Sequence, residues 1–103
     1  MELVELPKGK FNSCSCVIYA RWKSGIDFPP IGLAKNLKTN SDWPSVGAIV
    51  KTTDNPYTGH LAVVIAIEGN TLTVAESNYI PCREGTRKLN IDDASIIGYL
   101  NPR

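Results

Sequence analysis

Residues 59–79 read GHLAVVIAIEGNTLTVAESNY, and this stretch decides the fold. An apolar run from Leu61 to Ile67 is followed by the turn residues Glu68-Gly69-Asn70 and a second run to Ala75. Two β-rich runs joined by a Gly/Asn turn predict a β-hairpin. A hairpin brings its far ends together. His60, the one histidine of the chain, lies at one far end, and Glu76 and Asn78 lie at the other. The hairpin is therefore expected to gather three polar groups at one edge of an apolar ribbon.

Register decides whether those groups meet. Residues opposite each other in an antiparallel pair share a face, and diagonal neighbours remain within reach of long side chains. A three-residue turn at Glu68-Gly69-Asn70 pairs Ile67 with Thr71. It sets His60 opposite Asn78, with Glu76 diagonal to His60. A two-residue Gly69-Asn70 turn moves Glu76 to the other face, unless a bulge corrects the register. In the favourable register one face carries His60, Ala62, Val64, Ala66, Leu72, Val74, Glu76 and Asn78. The small residues beside His60 leave room there for the end of a helix.

That helix is expected upstream. Ser13-Cys14-Ser15-Cys16 precedes VIYARWKSG. Either serine can cap a helix, and Gly25 is a stop signal. Cys16, Tyr19, Ala20 and Lys23 share one helix face by spacing. With Ser15 as N-cap, Cys16 falls in the first turn, where the helix dipole and unpaired amides favour an anionic sulfur.

Working outward, residues 1–12 read as an extended lead-in. Phe28-Pro29-Pro30 is a rigid break, and Pro30 opens a second short helix through IGLAKNLK. Trp43 to Gly47 turns into a strand over Ala48–Lys51. Thr52 to Thr58 is a polar loop leading to Gly59-His60. Beyond the hairpin, Glu84-Gly85 is expected to turn the chain, Arg87–Ile91 to form a strand, and Ser95–Leu100 to form the last one. Short N-terminal helices, the first carrying the cysteine, packed on an antiparallel sheet of four to six strands make an α+β fold.

The chain has 103 residues, of which 43% are hydrophobic, and reads as one domain over residues 1–103. A formal net charge of +1 gives no electrostatic case for nucleic acid. No apolar run approaches the roughly 18 residues of a membrane span. The start, MELVELPKGKFN, lacks a basic region followed by an apolar core, so no signal peptide is expected. Three cysteines are an odd number, which argues against a disulfide framework and leaves at least one thiol free.

These residues suit thiol chemistry. A neighbouring histidine can take the proton of a cysteine and later give it to a leaving amine. The histidine needs its other nitrogen held by a carboxylate, with an amide assisting. Cys16 is assigned as nucleophile, His60 as base then acid, Glu76 as orienter, and Asn78 as a second polar contact to imidazole or substrate. The backbone N–H of Cys16 is the first candidate oxyanion donor. The reaction would attack an amide carbonyl through a thioester. Tyr57 and Tyr79 flank the site as candidate substrate contacts, although Tyr79, Trp22 and Trp43 read first as packing. For Cys14 and Cys82 burial in the core is the first reading and a mutual disulfide the second. A Cys₃His zinc set of Cys14, Cys16, Cys82 and His60 is a rival, against the usual spacing of zinc ligands.

The chain resembles a CHAP domain, the cysteine- and histidine-dependent amidohydrolase/peptidase module of bacterial and phage cell-wall hydrolases. Four ordered pieces carry the resemblance: CVIYA opening a helix, PSVGAIV leading into a strand, GHLAVV, and TLTVAESNY, with IIGYL closing. It spans about residues 12 to 101. It implies a papain-like α+β fold without a cofactor. It also implies peptidoglycan as partner, cut at the N-acetylmuramoyl-L-alanine amide or at a peptide bond of the stem or cross-bridge. The family's cysteine falls on Cys16, its histidine on His60, its acid on Glu76 and its asparagine on Asn78. The CSC doublet departs from the family's single cysteine. Cys16 has the cysteine-to-tyrosine spacing, and Cys14 is the alternative. A monomer is expected, delivered to the wall by lysis, by a phage particle or as part of a larger protein. A non-catalytic wall-binding module and a thiol amidase acting on a small γ-glutamyl-type amide are the other readings.

Overall fold

The structure is a computed structural model that describes residues 14–102. The expected lead-in over residues 1–12 lies outside the described residues. Helix α1 spans Cys16–Ser24. Ser15 caps it, its side chain accepting from the Ile18 N–H at 3.2 Å. Gly25 ends it at φ 70°, donating its N–H to the Arg21 carbonyl. Both boundary signals act as read, and Cys16 is the first helical residue.

The second expected helix does not form. IGLAKNLK contains only a 3₁₀ turn at Ala34–Asn36. That segment inserts Ala34 and Leu37 into the core, and the Lys35 N–H donates to the Thr58 carbonyl. Tertiary contacts therefore hold a stretch too short to sustain an α-helix alone.

Five strands follow: β1 Ile49–Thr52, β2 His60–Glu68, β3 Thr71–Ser77, β4 Glu84–Asn90 and β5 Ile96–Leu100. They form one antiparallel sheet in the order β4-β3-β2-β1-β5. The first four make a meander, and β5 returns to the free edge of β1. Glu84-Gly85 lies inside β4, where Ser77 pairs with Glu84 and Glu76 with Gly85. The turn is made earlier, by residues 78–83, and closed by the Asn78 N–H on the Arg83 carbonyl at 2.9 Å.

The central hairpin turns on two residues, Gly69 and Asn70, between the paired Glu68 and Thr71. Gly69 takes φ 57° at the first central position, where a type II′ turn requires glycine. Ile67 pairs with Leu72 and Ala66 with Thr73; beyond Ile65 the register shifts, so that Val64 pairs with Val74 and Val63 with Ala75. The expected three-residue turn is thus replaced by a two-residue turn and a bulge. The bulge restores Glu76 to the face of His60.

Two apolar clusters fill the two faces of the sheet. One joins Ala20 of α1 with Phe28, Leu37, Ile49, Leu61 and Val63, with Cys16 and Val17 packed against it. The other joins Val50, Ala62, Val64, Val74, Leu89 and Tyr99. Leu89 and Tyr99 lie on the two edge strands, so this second cluster runs across the full width of the sheet. The body of α1 accordingly lies on the Leu61/Val63 face and not beside Ala62 and Val64. Among the described residues no helix is long and apolar enough to cross a membrane.

Candidate functional site

The site forms where the first residue of α1 meets the first residue of β2. His60 follows Gly59, whose φ of 73° no other residue type adopts without strain. A Cβ on Gly59 would lie 2.7 Å from the Lys35 backbone nitrogen. The Gly-His pair is thus a backbone crossing that delivers His60 to the start of the strand.

His60 is buried, with 4% of its surface exposed, and so is Glu76, at 3%. His60 Nε2 and Glu76 Oε1 are 2.7 Å apart. Cys16 hydrogen-bonds the imidazole as well. Because Glu76 occupies Nε2, Nδ1 is the nitrogen left for the thiol. Burial alone would depress the imidazole. The hydrogen bonds to Cys16 and Glu76, and attraction to both groups, outweigh it and raise His60 from 6.5 to about 9.

Two residues of the site went unread in the sequence. Arg87 Nε donates to Glu76 Oε2 at 2.6 Å, and its terminal nitrogen pairs with Asp54 Oδ2. The Thr52 hydroxyl donates to the same Asp54 oxygen at 2.7 Å. Burial would raise the Asp54 carboxyl, but hydrogen bonds from Arg87 and Thr52 and the charge of Arg87 hold it below its ordinary 3.8. Arg87 was legible in part: it lies two positions before Leu89, and alternation puts it on the buried face. Asp54 carried no signal, because only the folding-back of residues 53–59 brings it to β4.

The other expected residues fall as follows. Asn78 lines the cleft, but its Oδ1 accepts from the Cys82 N–H at 2.8 Å. With φ 66° it shapes the 78–83 turn, and it makes no hydrogen bond to the imidazole. Tyr79 lies between the two charged partners, its ring centroid 5.9 Å from that of His60 and 3.7 Å from the Arg87 guanidinium carbon. It is a half-exposed wall of the site. Tyr57 stands 80% exposed on the opposite lip. Trp43, read as packing, is 71% exposed. Asp54, Tyr57, His60, Asn78, Tyr79 and Pro81 line an open cleft of about 380 Å³. A larger cavity of about 840 Å³ lies at the other end of α1, around Gly25, Phe28 and Leu100, away from the thiol and the imidazole.

Cys14 and Cys82 form a disulfide, not two buried thiols. Both are exposed, as a cross-link in a surface turn allows. The bond ties the start of α1 to the 78–83 turn and leaves Cys16 as the free thiol. It removes Cys14 as the alternative nucleophile, and it removes two ligands from the Cys₃His set. Comparison with protein-family models, with curated proteins and with solved structures found no match to this chain.

Proposed function

We propose that this chain is a cysteine-dependent peptidoglycan hydrolase of CHAP type. It cleaves an amide bond, either the N-acetylmuramoyl-L-alanine linkage or a peptide bond of the stem or cross-bridge. One observation carries the reading: a free thiol at a helix start contacts a buried histidine whose far nitrogen is held by a buried carboxylate. A helix with the cysteine at its start, followed by a sheet with histidine and orienter on neighbouring strands, supports the papain-like assignment.

The chemistry follows from the geometry. Cys16 passes its proton to His60, and its Sγ attacks the substrate carbonyl. The Cys16 backbone N–H, in the first helical turn and so without an i−4 carbonyl partner, is a donor to the developing oxyanion. The C–N bond then breaks as His60, now imidazolium, gives that proton to the departing amine, and the thioester remains. Water then attacks the thioester with His60 as base, releasing the carboxylate and regenerating the thiol. Glu76 keeps the imidazole oriented through both steps. Every group comes from one chain, so a monomer is sufficient. An exposed disulfide suits an oxidising compartment and thus action outside the cytoplasm.

Mass spectrometry of purified peptidoglycan of several chemotypes, digested with wild type and with Cys16→Ala, tests the reading. New termini that depend on Cys16 are expected. Stem peptides freed with an N-terminal L-alanine identify an amidase, and cuts within stem or bridge an endopeptidase. No new termini from a protein whose Cys16 is readily alkylated would move the substrate to a small amide. An inert Cys16 would leave only a binding module.

A further inference from the structure

Glu76 uses both carboxylate oxygens: Oε1 meets His60 Nε2, and Oε2 meets Arg87 Nε. A glutamate has three rotatable bonds, so one hydrogen bond to an imidazole does not fix its carboxylate. The second bond removes that freedom. Arg87 is itself held at three points. Its Nε is on Glu76, its terminal nitrogen is on Asp54, and its plane lies over the Tyr79 ring. Asp54 is held in turn by Thr52, which is fully buried and pairs with His60 across β1 and β2. The partners therefore run from His60 through Glu76, Arg87, Asp54 and Thr52 and back to the strand position opposite His60. Without Arg87, Oε2 of the buried Glu76 would lose its charged hydrogen-bond donor.

We propose that Arg87 is a positioning residue for the hydrolase. By bridging Glu76 and Asp54 it locks the Glu76 carboxylate toward His60, and it holds Tyr79 as a wall against the imidazole. This rests on the reading of Cys16, His60 and Glu76 as the reacting set. The shape of arginine is essential to it. A lysine retains the charge but is a single point donor, and it cannot bridge both carboxylates while stacking on a ring.

His60 is the one histidine in the chain, so its titration can be followed by NMR without assignment ambiguity. The ionisable groups around it are Cys16 and Tyr19 on α1, Asp54 after β1, Glu76 on β3, and Glu84 and Arg87 on β4. The test compares wild type with Arg87→Gln and Arg87→Lys. The readouts are the His60 midpoint and the kinetics of Cys16-dependent release of soluble wall fragments. The sign of the midpoint change is diagnostic. Loss of the Arg87 cation with Glu76 still in place would raise the midpoint. Release of Glu76 from His60 would lower it. We expect a lower midpoint in both variants, with kcat down about 10- to 100-fold and KM within about twofold.

An unchanged or higher midpoint, or unchanged kcat, overturns the inference while leaving the hydrolase reading intact. A wild type that releases nothing and resists alkylation at Cys16 overturns the reading itself. If Arg87→Gln does not fold, Arg87→Lys decides. If neither folds, the wild-type Arg87 Nε–H resonance decides: it must shift with His60 titration, and an invariant resonance rejects the coupling.

Discussion

At His60, burial and hydrogen bonding pull in opposite directions, and the hydrogen bonds win. The raised value of about 9 favours the imidazolium at neutral pH, the form that the proposed mechanism needs to protonate the leaving amine. Turnover should therefore fall as pH rises through about 9, measured as kcat/KM against pH, which reports the groups of the free enzyme. Stability follows the same group. Its folded value lies above the unfolded 6.5, so its contribution is complete below about 6.5 and lost as pH rises through about 9. Melting temperature should decline across that window, and a flat profile there would reject the assignment. Asp54 acts in the other sense: it is held below 3.8, so its contribution is lost toward acid pH. Cys16→Ser should abolish turnover and leave the fold intact. Glu76→Gln keeps the shape but removes the charge. It should lower kcat about 10²- to 10⁴-fold and bring the His60 midpoint down.

At the scale of elements, the site depends on two backbone devices. The first is Gly59, whose positive φ and contact with the Lys35 backbone leave no room for a side chain. Gly59→Ala should destabilise the fold by at least about 2 kcal/mol, from the disfavoured φ and the backbone clash together. It should also reduce turnover by displacing His60, and denaturant melts with wall-digestion assays check both effects. The second device is the bulge at Ile65. Cross-strand NOEs should join Ala66 to Thr73 and Val64 to Val74, with Ile65 out of register between them. An uninterrupted ladder from the turn would put Glu76 on the far face from His60 and would refute the site. The alternatives of an odd-length turn or a correcting bulge were legible in residues 59–79. Which one operates was not, because turn type and bulge position depend on how the whole sheet packs.

For the whole molecule, the Cys14–Cys82 cross-link spans a sequence separation of 68 residues and ties the start of α1 to the turn after β3. Closing so long a loop in the unfolded chain predicts a loss of about 4 kcal/mol in Cys14→Ser/Cys82→Ser. Because the proposed nucleophile is Cys16, that variant should keep most of its turnover at temperatures where it stays folded. Equilibrium denaturation and wall digestion, run together, separate the two effects. Loss of turnover from the folded double variant would give the disulfide a part in holding the cleft. The path of the segment after β1 also crosses to β4 and sets Asp54 against Arg87.

The sequence by itself determined the local features. Ser15 and Gly25 bound α1, Cys16 opens it, and the strand–turn–strand pattern puts histidine and glutamate at the far ends of one hairpin. Caps, glycine conformations and alternation act within a few residues and are written in residue types. Tertiary structure decided the rest. IGLAKNLK gave up a helix for core contacts and a backbone bond to Thr58, and Glu84-Gly85 became a strand once β3 offered a partner edge. Asn78 turned its side chain to the loop, Cys14 found Cys82, and Arg87 and Asp54 closed around Glu76. Each of these joins groups distant in sequence. Their meeting depends on the assembly of the sheet and the path of its loops, which no local pattern of residues encodes.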